Sequence, residues 1–242
     1  MSTPGYDEEV KEDSPWLYPL IILGITLLLS AGVSYYYFGP SISDFRGDTP
    51  EASARTSLIH MQIGTTNFVI AENFTQFPRA RRGGSRDSVA LYALYPTFEP
   101  YTVRNDPFFI HNGVDNPVVY FQIEIARLPM SEEQRVELIY RDFLTDGPGI
   151  DSGYGLTQHQ FANDTGYDDQ DLFLGTAADG SMVAILCTEL TNMVPSPNCR
   201  REMALPDGLI LSYRFKRHFL PEWQQINQGL IDRVAAFKAP TG

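Results

Sequence analysis

The chain has 242 residues, with 30 Asp and Glu against 18 Lys and Arg, for a formal net charge of −12. An acidic surface of this size repels nucleic acid and anionic lipid, which argues against nucleic acid as a partner. Residues 39–242 are enough to bury a proper core as one unit.

Residues 1–16 form an acidic tail, with Asp7, Glu8, Glu9, Glu12 and Asp13 against Lys11. Leu17 to Phe38 then runs for 22 positions without a charged side chain. At about 1.5 Å per residue a helix of that length crosses a hydrocarbon core of about 30 Å. Trp16 and Tyr18 stand at its entry and Tyr35, Tyr36 and Tyr37 at its exit, an aromatic belt on each side. The segment is predicted as an uncleaved transmembrane helix that contacts membrane lipid. The rival reading is a secretory signal, which has a shorter apolar run after net positive charge. Small residues at Ser30, Ala31 and Gly32 keep that rival open.

Residues 39–57 read as a juxtamembrane linker with Pro40, Pro50 and scattered charge, and residues 58–242 as the folded domain. Leu58–Gly64 and Asn67–Ile70 are two strands joined by a turn, and Ser88–Tyr95 is a further apolar run. Val119, Phe121, Ile123 and Ile125 alternate with Tyr120, Gln122 and Glu124, the period of a half-buried strand. Ser131 and Gln134 form a capping box, followed by a helical stripe of Val136, Ile139, Tyr140, Phe143 and Leu144. Asp179-Gly180 and Pro206-Asp207-Gly208 mark two hairpins. Pro221 opens a terminal helix with the stripe Trp223, Ile226, Leu230, Val234 and Phe237. The expected class is α+β: an antiparallel sheet covered by two helices, preceded by one transmembrane helix.

Cys187 and Cys199 end two predicted strands, with eleven residues between them. Strand ends joined by a turn can bring Cα atoms within disulfide range, and closing so short a loop contributes about 2–3 kcal/mol. A bridge persists in an oxidising compartment and would put the domain in a periplasm; two ordinary buried thiols are the alternative. The basic residues near the membrane, Lys11 against Arg46 and Arg55, lean weakly toward a domain inside the cell. We expect the domain outside.

Arg79, Arg81, Arg82 and Arg86 fall in one Gly-rich loop between strands, an anomaly in an acidic domain. Guanidinium forks suit carboxylates and phosphates, so the loop reads as a docking loop for an acidic partner or for lipid headgroups; a solvated hairpin loop that offsets neighbouring carboxylates is the alternative. Asp164, Asp168, Asp169 and Asp171 are dense but lack the spacing of a Ca²⁺ loop. His60, sited in a strand, reads as a core residue, and no histidine or cysteine has metal-ligand spacing. No nucleophile elbow, dinucleotide fingerprint or phosphate loop is present, and no cofactor, metal or catalytic residue is expected.

Gln62–Gly64 with Phe68–Phe74, Arg81–Gly84 leading into Val89–Pro96, and Cys187, Cys199, Leu209–Phe215 and Leu220–Trp223 together resemble a family of uncharacterised membrane-anchored proteins of alphaproteobacteria. The resemblance spans most of residues 58–237. It implies a bacterial inner-membrane protein with its two cysteines paired, and no known activity. The expected function is that of a non-enzymatic single-pass membrane protein with a periplasmic interaction domain, an accessory subunit or assembly factor of an envelope complex with a protein partner. A membrane-anchored small-molecule-binding or sensor module is the second reading. A hydrolase whose site assembles only in space is the third.

Overall fold

The computed structural model describes residues 16–38 and 46–239. The acidic tail, apart from Trp16, and residues 39–45 of the expected linker lie outside the described residues. The chain divides into two units, one ending at Arg46 and one starting at Gly47. In the first, Leu17–Phe38 is a single 22-residue helix with no charge in its first or last turn. It is about 33 Å long, enough to cross a membrane by length and composition.

The second unit is α+β. Its smaller sheet has three strands, β1 (Leu58–Ile63), β2 (Thr66–Ala71) and β3 (Gly84–Arg86), in the order β2-β1-β3. Its larger sheet has eight: β4 (Ser88–Leu94), β5 (Val118–Ile125), β6 (Ile150–Gly153), β7 (Leu156–Gln160), β8 (Gln170–Thr176), β9 (Met182–Thr188), β10 (Asn198–Leu205) and β11 (Leu209–Lys216). They lie in the order β4-β5-β11-β10-β9-β8-β7-β6, and every pair is antiparallel. The chain thus runs β6 to β11 as a meander that returns to β5. The α+β class holds, with a larger sheet than expected and a second, mixed sheet in which β3 runs parallel to β1. Residues 47–57 are fastened to this unit: Gly47 accepts from the Arg79 amide and Glu51 donates to the Gln76 carbonyl.

Strand periodicity decides which side chains meet. Ile59, Met61 and Ile63 of β1 face Phe68 and Ile70 of β2 within one core. The same core takes Leu91, Phe121, Phe173, Ile185, Leu211 and Phe215 from the large sheet. The terminal helix Trp223–Phe237 adds Trp223, Ile226, Leu230, Val234 and Phe237, the stripe its sequence carries. At about 1.5–3 kcal/mol per large apolar side chain, this layer supplies most of the driving force for folding. His60 alternates with these residues and points outward, so it is exposed rather than part of the core.

Among the described residues, the opposite face of the large sheet carries apolar cover at its two sides. Val136 and Tyr140 pack with Phe161, Leu172 and Leu186 over β8 and β9. Tyr92, Leu94 and Val118 pack with Phe109 over β4 and β5. The helix after Ser131 is shorter than expected. Its capping box forms, and regular α-helix covers Glu132–Arg135 only. The chain then widens through Val136–Tyr140 and tightens through Arg141–Phe143, so that Leu144 pairs with Phe161.

That first helical turn closes a gap in the sheet. β9 and β10 pair at only three rungs, Cys199–Cys187, Arg200–Leu186 and Arg201–Ile185. The next rung would join Glu202 to Ala184. Instead Glu132 accepts from the Ala184 amide at 2.8 Å, and Arg135 donates to the Glu202 carbonyl at 3.0 Å. Glu132 also takes both Nε and Nη2 of Arg201, at 2.9 and 2.7 Å. Arg201 donates to Asn227 Oδ1 at 2.7 Å, which in turn accepts from the Tyr213 hydroxyl. Burial opposes the Arg201 charge, but the Glu132 bonds outweigh it and hold its pKa above the ordinary value. Burial pushes Tyr213 up to about 12.

Side-chain exposure is 1% for Arg201 and 8% for Glu132. Removing one partner of such a pair leaves an uncompensated buried charge. We predict that Glu132→Ala lowers the chemical-denaturation stability of the detergent-solubilised chain by about 3–5 kcal/mol. Arg141→Ala, which breaks the exposed pair with Glu137, should change it by less than about 1 kcal/mol. Equal effects would contradict this description of the gap.

Candidate functional site

The two cysteines face each other across β9 and β10 and form a disulfide, with Sγ–Sγ 1.99 Å and Cα–Cα 3.9 Å. Both are fully buried in the main core. The bond sits two residues before Arg201 on β10, so covalent and ionic ties flank the same short ladder.

The four arginines of the loop have different surroundings. Arg81 turns inward. Its side chain lies 3.8 Å from the buried Glu72 and 3.5 Å from Glu51, and it donates to Thr75 Oγ1 and the Glu51 carbonyl. Glu72 also accepts from Ser53 and Ser57. Arg86 donates to the Arg79 carbonyl, and its pKa is lowered by burial and then by the nearby Arg79 and Arg82. Arg79 pairs with Asp48 at 2.8 Å over the Phe77 ring and stays half-exposed. Arg82 is exposed. The segment is a tight helical turn, Pro78–Arg82, followed by β3 rather than an open loop. Gly83 (φ +66°) makes the turn, and a Cβ there would lie 2.5 Å from the His60 carbonyl oxygen.

Asp171, one of the four clustered acids, is buried and held by Arg217 at 2.6 Å and by Gln158 at 2.8 Å. Among the described residues no three His, Cys, Asp or Glu side chains converge as metal ligands.

A groove of about 490 Å³ opens on the half-covered face of the large sheet. Its floor is the outward row of β5, β11 and β10, including Tyr120, Ser212, Arg214 and Arg200, with Arg135 and Tyr140 at one wall. Arg200 and Arg214 are directly opposed across β10 and β11. Arg214 lies 4.9 Å from the centre of the Tyr120 ring. Sequence reasoning missed this site, although the alternation in Leu209–Phe215 already sends Arg214 outward. The missing information was the register that sets Arg200 opposite it.

With fold and groove defined, the molecule is an α+β domain whose large antiparallel sheet carries a cationic groove on its half-open face. No protein-family model and no curated protein matches the chain. Two solved structures are similar. An immunity protein of the Stenotrophomonas maltophilia type IV secretion system aligns with TM-score 0.54 and 14% identity, over 76% of this chain and 94% of its own. The iron-regulated outer membrane lipoprotein FrpD of Neisseria meningitidis aligns with TM-score 0.47 and 13% identity, over 77% and 96%. The first shares the fold.

The unequal burial of the arginines has a measurable consequence. Arg81→Ala should cost about 1–3 kcal/mol, because it leaves Glu72 and Thr75 short of a donor. Arg79→Ser should cost less than about 1 kcal/mol. Thermal denaturation of the two variants separates them; equal losses would mean that Arg79, too, holds the fold.

Proposed function

We propose that this chain is a non-enzymatic, single-pass protein of a bacterial inner membrane, with a periplasmic domain that binds another protein as an accessory subunit or assembly factor. One conjunction of features carries the reading: an uncharged 22-residue helix precedes a domain whose two cysteines are joined in its core. The helix has the length and composition of an anchor. The buried bridge supports an oxidising compartment, because thiols in the cytosol are kept reduced. From the Stenotrophomonas immunity protein we carry over the fold alone. Two basic surfaces face solvent, the cationic groove and the Arg79–Arg82 turn, in which Arg79 already pairs with Asp48. The groove's volume also supports a second reading, a small-molecule site.

The test is affinity purification of the tagged chain from its native membranes in mild detergent, after intact cells have been treated with a membrane-impermeant alkylating reagent. The expected result is one stoichiometric protein partner, with Cys187 and Cys199 unlabelled in the unfolded chain until it is reduced. A chain that elutes alone contradicts the interaction role, and thiols that label in the unfolded chain without reduction contradict the bridge.

A further inference from the structure

We propose that the groove over β5, β11 and β10 receives carboxylate side chains of an acidic segment on a protein partner, with Arg200 and Arg214 as the paired receptors. This inference rests on the interaction reading above and names the chemistry of the partner.

The argument begins with an electrostatic cost. Residues directly opposed on one face of an antiparallel pair have Cβ atoms about 5 Å apart, and like charges there destabilise the sheet. Arg200 and Arg214 occupy such a position. Among the described residues neither has a carboxylate within ion-pair distance. The two acids nearest in the strand pattern are occupied: Glu202 by Arg135 at 2.5 Å, and Glu124 by Gln122 and Ser212. Residues 39–242 hold 25 acidic and 17 basic side chains, a net −8, yet among the described residues none of these acids forms an ion pair with Arg200 or Arg214.

A further cation adds to the same field. Lys216 follows Arg214 on the outward row, buried and bound to Asn112 and the Ser196 carbonyl. Its pKa is lowered by burial and then by Arg214. The Arg214 guanidinium lies over the Tyr120 ring, its carbon 4.9 Å from the ring centre, a cation–π contact. A guanidinium fork matches a carboxylate with two parallel hydrogen bonds.

Arginines between tyrosines, here Tyr120 and Tyr140, make the side-chain mixture that dominates protein–protein hot spots. The groove floor spans three strands, about 10 Å between the outer two, wide enough for one extended or helical segment of another chain. The domain's overall negative charge opposes long polyanions such as nucleic acid, whereas a short acidic segment presents its few charges only where the two arginines compensate them.

The experiment uses the full chain in mild non-ionic detergent and a fluorescein-labelled hexaglutamate peptide, followed by fluorescence anisotropy. The expected result is saturable binding that weakens with salt, with no binding of hexaglutamine. Arg200→Gln and Arg214→Gln should each weaken binding about tenfold or more. Arg200→Lys keeps the charge but not the fork, and should restore only part of the loss. The melting temperature of Arg200→Gln should not fall, because a like-charge contact is relieved; a structural arginine would lower it. The proposal is overturned if hexaglutamate fails to bind at about 1 mM, if both Gln variants bind as wild type does, or if succinate at equal carboxylate concentration competes as well as unlabelled peptide, the mark of a small-anion site. These outcomes leave open a partner bound elsewhere on the domain. The interaction reading fails on a different result, the absence of any protein on the chain isolated from its own membranes.

Discussion

The buried pair of Glu132 and Arg201 governs this domain. A sheet of eight strands twists, and here β9 and β10 part after three rungs. The exposed edges of that gap are a liability, since an unpaired buried amide or carbonyl costs about 1–3 kcal/mol. The chain meets it with four residues. Glu132 replaces a strand carbonyl for Ala184, and Arg135 replaces a strand amide for Glu202. Arg201 then ties the turn through the sheet to Asn227 on the terminal helix. One buried carboxylate thereby connects both covering layers to the sheet between them. Ion pairs of this kind stabilise weakly against apolar substitutes, and here the pair ties the Glu132 turn, β9, β10 and the terminal helix to one another. The disulfide holds the same three rungs from the other end.

This arrangement also explains why the groove exists. With the Glu132–Phe143 segment pinned at the β9–β10 gap, it covers β8 and β9 and goes no further. The segment around Phe109 covers β4 and β5. The middle of the face lies between them and carries Arg200 and Arg214. A domain built only for stability would place an acid or an apolar residue at one of these two positions. Keeping like charges opposed on an open floor fits a surface completed by something outside the chain. The Arg79–Arg86 segment contrasts with it, because Arg81 and Arg86 are engaged with their own domain.

Much of this was legible in the sequence. The uncharged helix, the β10–β11 hairpin and the stripe of the terminal helix follow from composition and periodicity, because each signal is local and strong. The Ser131 capping box was equally local, and it formed. The helix it starts is shorter than the stripe Val136–Leu144 suggests, since that stripe does not reveal that Leu144 is needed as a strand partner for Phe161. β6 and β7 escaped notice because they are short, polar and at a sheet edge, with Tyr154 and Gly155 both at positive φ making their turn. The parallel pairing of β3 with β1, the β9–β10 gap and the opposition of Arg200 to Arg214 are long-range facts of register. No local pattern encodes them. The arginine segment misled for the same reason: spacing cannot show that Arg81 faces the buried Glu72.

The most direct test of the account is site-specific photo-crosslinking in living cells, with a photoreactive amino acid placed in turn at Ser212, which lines the groove beside the two arginines without being one of them, at Arg79 and at His60 on the exposed face of β1. The account predicts that the groove position captures one defined protein, that the captured peptide is acidic, and that His60 captures nothing in comparable yield. Capture of the same protein from His60 but not from Ser212, or no protein adduct at Ser212, would contradict it.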